Sequence, residues 1–162
     1  MAVHSFKTVQ IIPVSLHEAW DFFSNPANLQ AITPPGMGFR IVSKFHGEQM
    51  YPGQIIEYKV RPMLHIPVYW MTEITHVYEP NFFIDEQRFG PYSFWHHQHH
   101  FREVRGGVEM TDIVHYKIPL GFIGDIANSL FVKKKLKEIF DYRYRAVEEF
   151  FGEKTKKMQV AR

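Results

Sequence analysis

The sequence predicts an α+β fold in which a curved antiparallel sheet wraps around one long C-terminal helix, with two short helices near the N-terminus. Three observations carry this. Residues 39–119 read as strands broken by turns, and residues 123–151 carry a helix-period apolar stripe. The chain has 162 residues, 45% of them hydrophobic and 22% charged, which is enough to bury one core. We assign residues 1–152 to a single domain and 153–162 to a charged tail that frays.

The elements come in this order. Phe6, Thr8, Gln10 and Ile12 alternate with Lys7, Val9 and Ile11 in a first strand that Pro13 closes. Ser15 and Glu18 have the spacing of a capping box, and open a short helix through Ala19, Trp20, Phe22 and Phe23. Asn25-Pro26 restarts a helix, which ends before Thr33-Pro34-Pro35-Gly36. Strands are then expected at Phe39–Lys44, Ile55–Val60, Val68–Tyr78, Phe82–Phe89, Phe94–Val104 and Val108–Ile118. Between them stand Tyr51-Pro-Gly53, Glu79-Pro-Asn81, Phe89-Gly-Pro91 and Arg105-Gly-Gly107, the last a tight hairpin in which glycine supplies positive φ. Gly121-Phe-Ile-Gly124 turns into the final helix, expected over Ile123–Phe151. Its stripe is Leu136, Phe140, Tyr144, Val147 and Phe151, extended upstream by Phe122, Ile126 and Leu130. Tight turns make the sheet antiparallel, and the helix must bury its stripe against it. A curved sheet around one helix leaves a hollow, which is where ligand sites form.

Composition removes several function classes. With no cysteine there is no disulfide scaffold, thiolate zinc site, iron–sulfur cluster or cysteine nucleophile. No apolar run reaches the roughly 20 residues of a membrane span, and residues 1–10 lack the apolar core of a secretory signal, so a cytoplasmic location is expected. The net charge is +2, distributed as −2 over residues 1–122 and +4 over 123–162, too mild an asymmetry for nucleic-acid binding. The Lys133-Lys-Lys-Leu-Lys137 run reads first as a solvated helix face, with surface contact to an anionic membrane as the alternative. Neither a nucleophile elbow nor a phosphate-cradling glycine loop is present.

Several segments together carry a family resemblance. They are Asn28-Leu-Gln-Ala-Ile-Thr-Pro-Pro35; Phe83-Ile-Asp-Glu-Gln87 with Gly90-Pro91; Trp95-x-His97-x-His99-x-Phe101; and Gly107-Val-Glu-Met-Thr-Asp112-x-Val114-x-Tyr116-x-x-Pro119. With the element order, they resemble a bacterial group of the SRPBCC superfamily (START and birch-pollen-allergen-like proteins), over about Phe6 to Phe151. The resemblance implies the helix-grip fold and a ligand cavity. It does not choose among the carriers, polyketide cyclases and aromatases, and oxygenase domains of the superfamily.

The densest polar segment is Trp95-His96-His97-Gln98-His99-His100-Phe101. On a strand, Trp95, His97, His99 and Phe101 share one face, and the bulky ends turn it inward, leaving His96 and His100 outside. The hairpin makes the strand of Met110, Asp112, Val114 and Tyr116 its neighbour, so that Asp112 lies across from one of the two histidines. On the preceding strand Phe83, Asp85, Gln87 and Phe89 share a face, and Asp85 and Gln87 join the same patch. Three readings stand: a satisfied network that pins the sheet, a patch that orients a ligand, or an acid–base or metal site. The candidate ligand-binding set is Trp95, His97, His99, Phe101, Asp112, Tyr116, Asp85 and Gln87. If the site is catalytic, His97, His99 and Asp112 are its candidates. No metal and no cofactor is assigned, because a His-x-His pair on a strand without HExxH is a weak metal signal. For Trp70, Thr72 and Ile74 against Met71, Glu73 and Thr75, the inward set stays open. The expected partner is a small hydrophobic, aromatic or lipid-like molecule; the alternative is a polyketide cyclase or aromatase-like enzyme with a His/Asp acid–base pair.

Overall fold

The computed structural model describes residues 2–44, 49–61, 66–119 and 131–160, with side chains through residue 152. Among these residues, seven antiparallel strands form one sheet in the order β1-β7-β6-β5-β4-β3-β2. They are β1 (His4–Ile12), β2 (Arg40–Ile41), β3 (Ile55–Val60), β4 (Val68–Tyr78), β5 (Phe82–Phe89), β6 (Phe94–Val104) and β7 (Gly107–Lys117). Helix α1 (Leu16–Phe23) comes after β1, and the long helix α2 (Lys133–Val160) is the last element described. This is the helix-grip architecture.

Local chemistry accounts for most of the boundaries. Glu18 N–H donates to Ser15 Oγ while the Glu18 carboxylate accepts from Ser15 N–H, closing the capping box of α1. The Asn25 side chain caps the expected next helix, Pro26–Gln30, which winds as a 3-10 helix. Pro34 and Pro35 stand too near for a second α-helical turn. A further 3-10 turn, Pro35–Met37, forms where the sequence reading ended all helix, with proline in the first turn, where no N–H is needed.

Strand β2 is much shorter than Phe39–Lys44. Its ladder stops because Val42 N–H and Ser43 N–H both donate to Glu57 O, and Ser43 Oγ takes the Glu57 N–H. Strand β7 starts one residue early, at Gly107, directly opposite Val104. Gly106 and Gly107 have φ of 94° and 143°, as the hairpin requires. A Cβ on Gly107 would stand 2.0 Å from Ile12 O, so the position is closed to other residues.

Strands β6 and β7 alternate strictly. Trp95, His97, His99 and Phe101 on one, and Val108, Met110, Asp112, Val114 and Tyr116 on the other, are buried on the concave face. On β4 the inward set is Trp70, Thr72 and Ile74. On β5 the alternation breaks. The register against β4 shifts between Met71 and Thr72, which pair with Phe89 and Gln87, and Phe89 turns out to solvent at 62% exposure. Phe89 therefore does not share the inner face with Asp85, contrary to the alternation expected from sequence.

Helix α2 lies across the concave face. Leu136, Phe140, Val147 and Phe151 are buried as expected, but Tyr144 is 37% exposed, and Arg143 turns toward the sheet instead. The helix continues past the expected end at Phe151, through Val160. Its expected start, the upstream stripe Phe122, Ile126 and Leu130, and the Gly121–Gly124 turn lie outside the described residues. Gln10 ties β1 to the helix by donating to Tyr144 O at 2.9 Å. Two apolar cores result. One gathers α1 (Trp20, Phe22, Phe23) with Phe83, Phe101, Val147 and Phe151, and the other gathers Trp70, Trp95, Val114 and Tyr116 with Leu136 and Phe140.

Candidate functional site

Between the two cores lies a hollow of about 180 Å³. Phe23, Ile56, Ile74, Leu136 and Phe140 supply apolar walls, and Tyr58, Trp70, Tyr92 and Trp95 an aromatic one. One wall is charged: Asp85, His97, His99 and Arg143 line it.

Register builds this wall. His97 pairs across the ladder with Asp85 on β5, and His99 with Asp112 on β7. The histidines of one strand thus sit between a carboxylate on either neighbour. His97 Nε2 is hydrogen bonded to Asp112 Oδ1 at 3.0 Å, and His99 Nε2 to Asp85 Oδ2 at 2.9 Å. The remaining nitrogens are also close: His97 Nδ1 is 3.3 Å from Asp85 Oδ2, and His99 Nδ1 is 2.9 Å from Asp112 Oδ1. Aromatic rings hold the imidazoles in place. Phe83 stacks on His99 at 4.1 Å, while Trp95 and Phe140 meet His97 edge-on at 6.0 and 5.7 Å. Arg143 approaches from the helix, its guanidinium over the rings of Phe23 and Phe140. Its Nη2 is 3.9 Å from Asp112 Oδ1, beyond hydrogen-bond reach.

The electrostatics arise from this packing. Burial pushes the Asp85 carboxyl up, but the charge of His97 and hydrogen bonds from both histidines more than reverse this and hold it below the usual range. For Asp112, burial is likewise overcome, first by the charge of Arg143 and then by the two histidines. Burial pulls His97 down, yet Asp85 and Asp112 together raise it above the ordinary imidazole value. Burial, reinforced by the charge on Asp85, pushes the Tyr58 phenol well up, and its hydroxyl shares a hydrogen bond with Thr72.

The residues anticipated from sequence divide into those at the wall and those behind it. Asp85, His97, His99 and Trp95 line the hollow. Asp112 is buried behind the two imidazoles. Tyr116 lies in the core behind Trp95 and Tyr92, and Phe101 packs against Trp20, Phe23 and Phe83 beneath α1. Gln87 is drawn away: its amide donates to Tyr92 O and accepts Tyr92 N–H, closing the β5–β6 turn. His96 and His100 stand on the outer face, half-buried, with Glu86 bonded to His96 at 2.9 Å.

Sequence reasoning missed Arg143, Tyr58 and Tyr92, and left open whether Thr72 faces inward. Arg143 left a trace, since it lies three residues after Phe140 and four before Val147 and fits the apolar stripe as well as Tyr144 does. The tyrosines left none, because their place depends on the pairing of β3 and on the turn after β5.

No family model and no curated protein matches the chain. Solved structures do. A START superfamily protein from Mycobacterium smegmatis superposes with a TM-score of 0.68 at 12% identity, covering 93% of this chain and 98% of that one. The protein Ara h 8.0201 gives 0.60 at 16%, covering 91% and 99%. A protein from Thermus thermophilus gives 0.65 at 14%, covering 90% and 95%. The fold is thus that of START and Bet v 1-like proteins, as the element order implied.

Proposed function

We propose that the protein binds a small, mostly apolar molecule, ring-bearing or lipid-like, between the concave sheet and helix α2. The observation that carries this reading is the combination in one hollow of apolar and aromatic walls with a single charged wall. Such a lining selects a ligand by burying its body and orienting one polar end. Arg143 is suited to that end. Its guanidinium rests on two rings, and its N–H groups have no carboxylate within hydrogen-bond distance among the described residues. A ligand oxygen would give them an acceptor. The fold shared with START and Bet v 1-like structures supports a ligand-holding role without naming a ligand.

Titration with an amphipathic fluorescent probe, anilinonaphthalene sulfonate, tests the reading on chelator-treated protein. One saturable site is expected, lost when Ile74, which lines the hollow, is enlarged in Ile74→Trp. Equal binding by both proteins would put the probe elsewhere.

A second reading has one observation in its favour. The His97–Asp112 hydrogen bond, with His97 on the wall of the hollow and Asp112 behind it, is the arrangement an acid–base pair needs, as in a polyketide cyclase or aromatase-like enzyme. On this reading Asp112→Asn abolishes turnover of a bound polyketide-like substrate while leaving its affinity within a few fold.

A further inference from the structure

Four ring nitrogens and two carboxylate oxygens form the centre of the charged wall, and their protons do not add up in a simple way. His97 Nδ1 and His99 Nε2 both face Asp85 Oδ2, at 3.3 and 2.9 Å. The opposite nitrogens, His97 Nε2 and His99 Nδ1, both face Asp112 Oδ1, at 3.0 and 2.9 Å. If every contact is an N–H on a carboxylate, both rings are cations, with centroids only 3.8 Å apart. If His99 carries a single proton, on Nε2, its bare Nδ1 faces a carboxylate oxygen, lone pair against lone pair. Among the described residues, His99 Nδ1 is fully buried and, although 2.9 Å from Asp112 Oδ1, is not aligned to hydrogen bond with it.

We propose that Asp85, His97 and His99 form a binding site for one divalent first-row transition-metal ion of the zinc, iron or cobalt type, with Asp112 holding both imidazoles from behind. In this arrangement each ring is neutral. His97 Nδ1 and His99 Nε2 turn lone pairs to the metal beside Asp85 Oδ2, the rear His97 Nε2–H donates to Asp112, and the rear His99 Nδ1–H sits 2.9 Å from the same oxygen, a small rotation away from donating to it. The carboxylate behind a histidine fixes its tautomer and strengthens it as a ligand. The divalent ion carries the charge of the two protons it replaces, so the buried cluster keeps its net charge.

Distances support this. One ligand atom from each of the three residues lies within 4.8 Å of the others. Metal–ligand bonds of about 2.0–2.2 Å put neighbouring ligand atoms about 2.9–3.5 Å apart, the range of the two contacts to Asp85 Oδ2; the two imidazole nitrogens would draw closer together on binding. Two imidazoles and one carboxylate suit these ions, whereas calcium and magnesium favour oxygen ligands. All three residues line the hollow, so a bound ion would be open to a small molecule there.

The experiment is a Co²⁺ titration of the full chain after chelator treatment, monitored by visible absorption, with Zn²⁺ as competitor. One ion per chain is expected. Asp85→Asn and His99→Gln should each weaken binding at least tenfold, Asp112→Asn by about 10–100-fold, and His96→Gln on the outer face not at all. X-ray absorption of the wild-type Zn²⁺ complex should show two imidazoles, a readout that stands even if a variant fails to fold. Absence of stoichiometric binding, affinity unchanged in Asp85→Asn, or a shell without two imidazoles would overturn the proposal. The anilinonaphthalene sulfonate titration above uses metal-free protein, so either reading can fail alone.

Discussion

Arg143 is the residue on which the charge balance of the interior turns. It is the helix's cation at a wall that otherwise holds two carboxylates and two imidazoles, and it is the leading charge that keeps Asp112 ionised. A buried carboxylate that loses its cation is costly. Arg143→Met keeps much of the packing on Phe23 and Phe140, so the loss should be mainly electrostatic. We expect about 1–3 kcal/mol of destabilisation, read from urea unfolding. The same variant should weaken probe binding. A neutral outcome in both would show that Asp112 is held by the histidines alone. The sequence hides this role because helical spacing admits position 143 or 144, and hydrophobicity favours Tyr144. What selects Arg143 is the partner across the gap, which is 31 residues away in the chain. His97, His99 and Asp112 were legible for the opposite reason, since all three are placed by period-two alternation and one tight hairpin.

Among the elements, the β6–β7 hairpin does most to place the site, because its register sets His99 against Asp112. That register starts from Gly107, whose positive φ and close approach to Ile12 O exclude a side chain. Gly107→Ala should cost at least about 2 kcal/mol, measured by thermal or chemical unfolding. A loss under half of that would mean that β1 moves aside easily and that the register is held elsewhere. The β5 strand shows the limit of sequence reasoning. Alternation turns Asp85 inward, and the β5–β6 register sets it opposite His97, but the irregular pairing between β4 and β5 turns Phe89 outward, and Gln87 is taken up by the turn at Tyr92. A bulge is decided by the fit between two strands, and neither strand alone announces it. The same holds for β2, whose ladder is cut short by the backbone bonds of Val42 and Ser43.

At the level of the whole chain, two packed cores leave a hollow between them, with the charged wall midway along the helix. Among the described residues, no helix is long and apolar enough to cross a membrane. The aromatic wall has a consequence at high pH. Tyr92, packed against Trp70, Trp95 and Tyr116, has its phenol pushed well above the ordinary value, chiefly by burial and further by Tyr116. The stability tied to that shift is present below about pH 10, the pKa of a free phenol. It is lost as pH rises further and the unfolded chain ionises first. Tyr92→Phe should therefore move the midpoint of alkaline unfolding to higher pH, with one late-titrating tyrosinate fewer by absorbance. An unchanged midpoint would mean that Tyr92 ionises in place.

Whether the hollow holds a small molecule can be read from native mass spectrometry of freshly purified protein. Wild-type chain and Ile74→Trp are compared, with their folds matched by near-ultraviolet circular dichroism. A small organic mass should be bound to the wild type, released on denaturation and absent from Ile74→Trp. The same mass retained by both, or a wild type that neither carries a molecule nor takes up the fluorescent probe, would contradict ligand binding in the hollow.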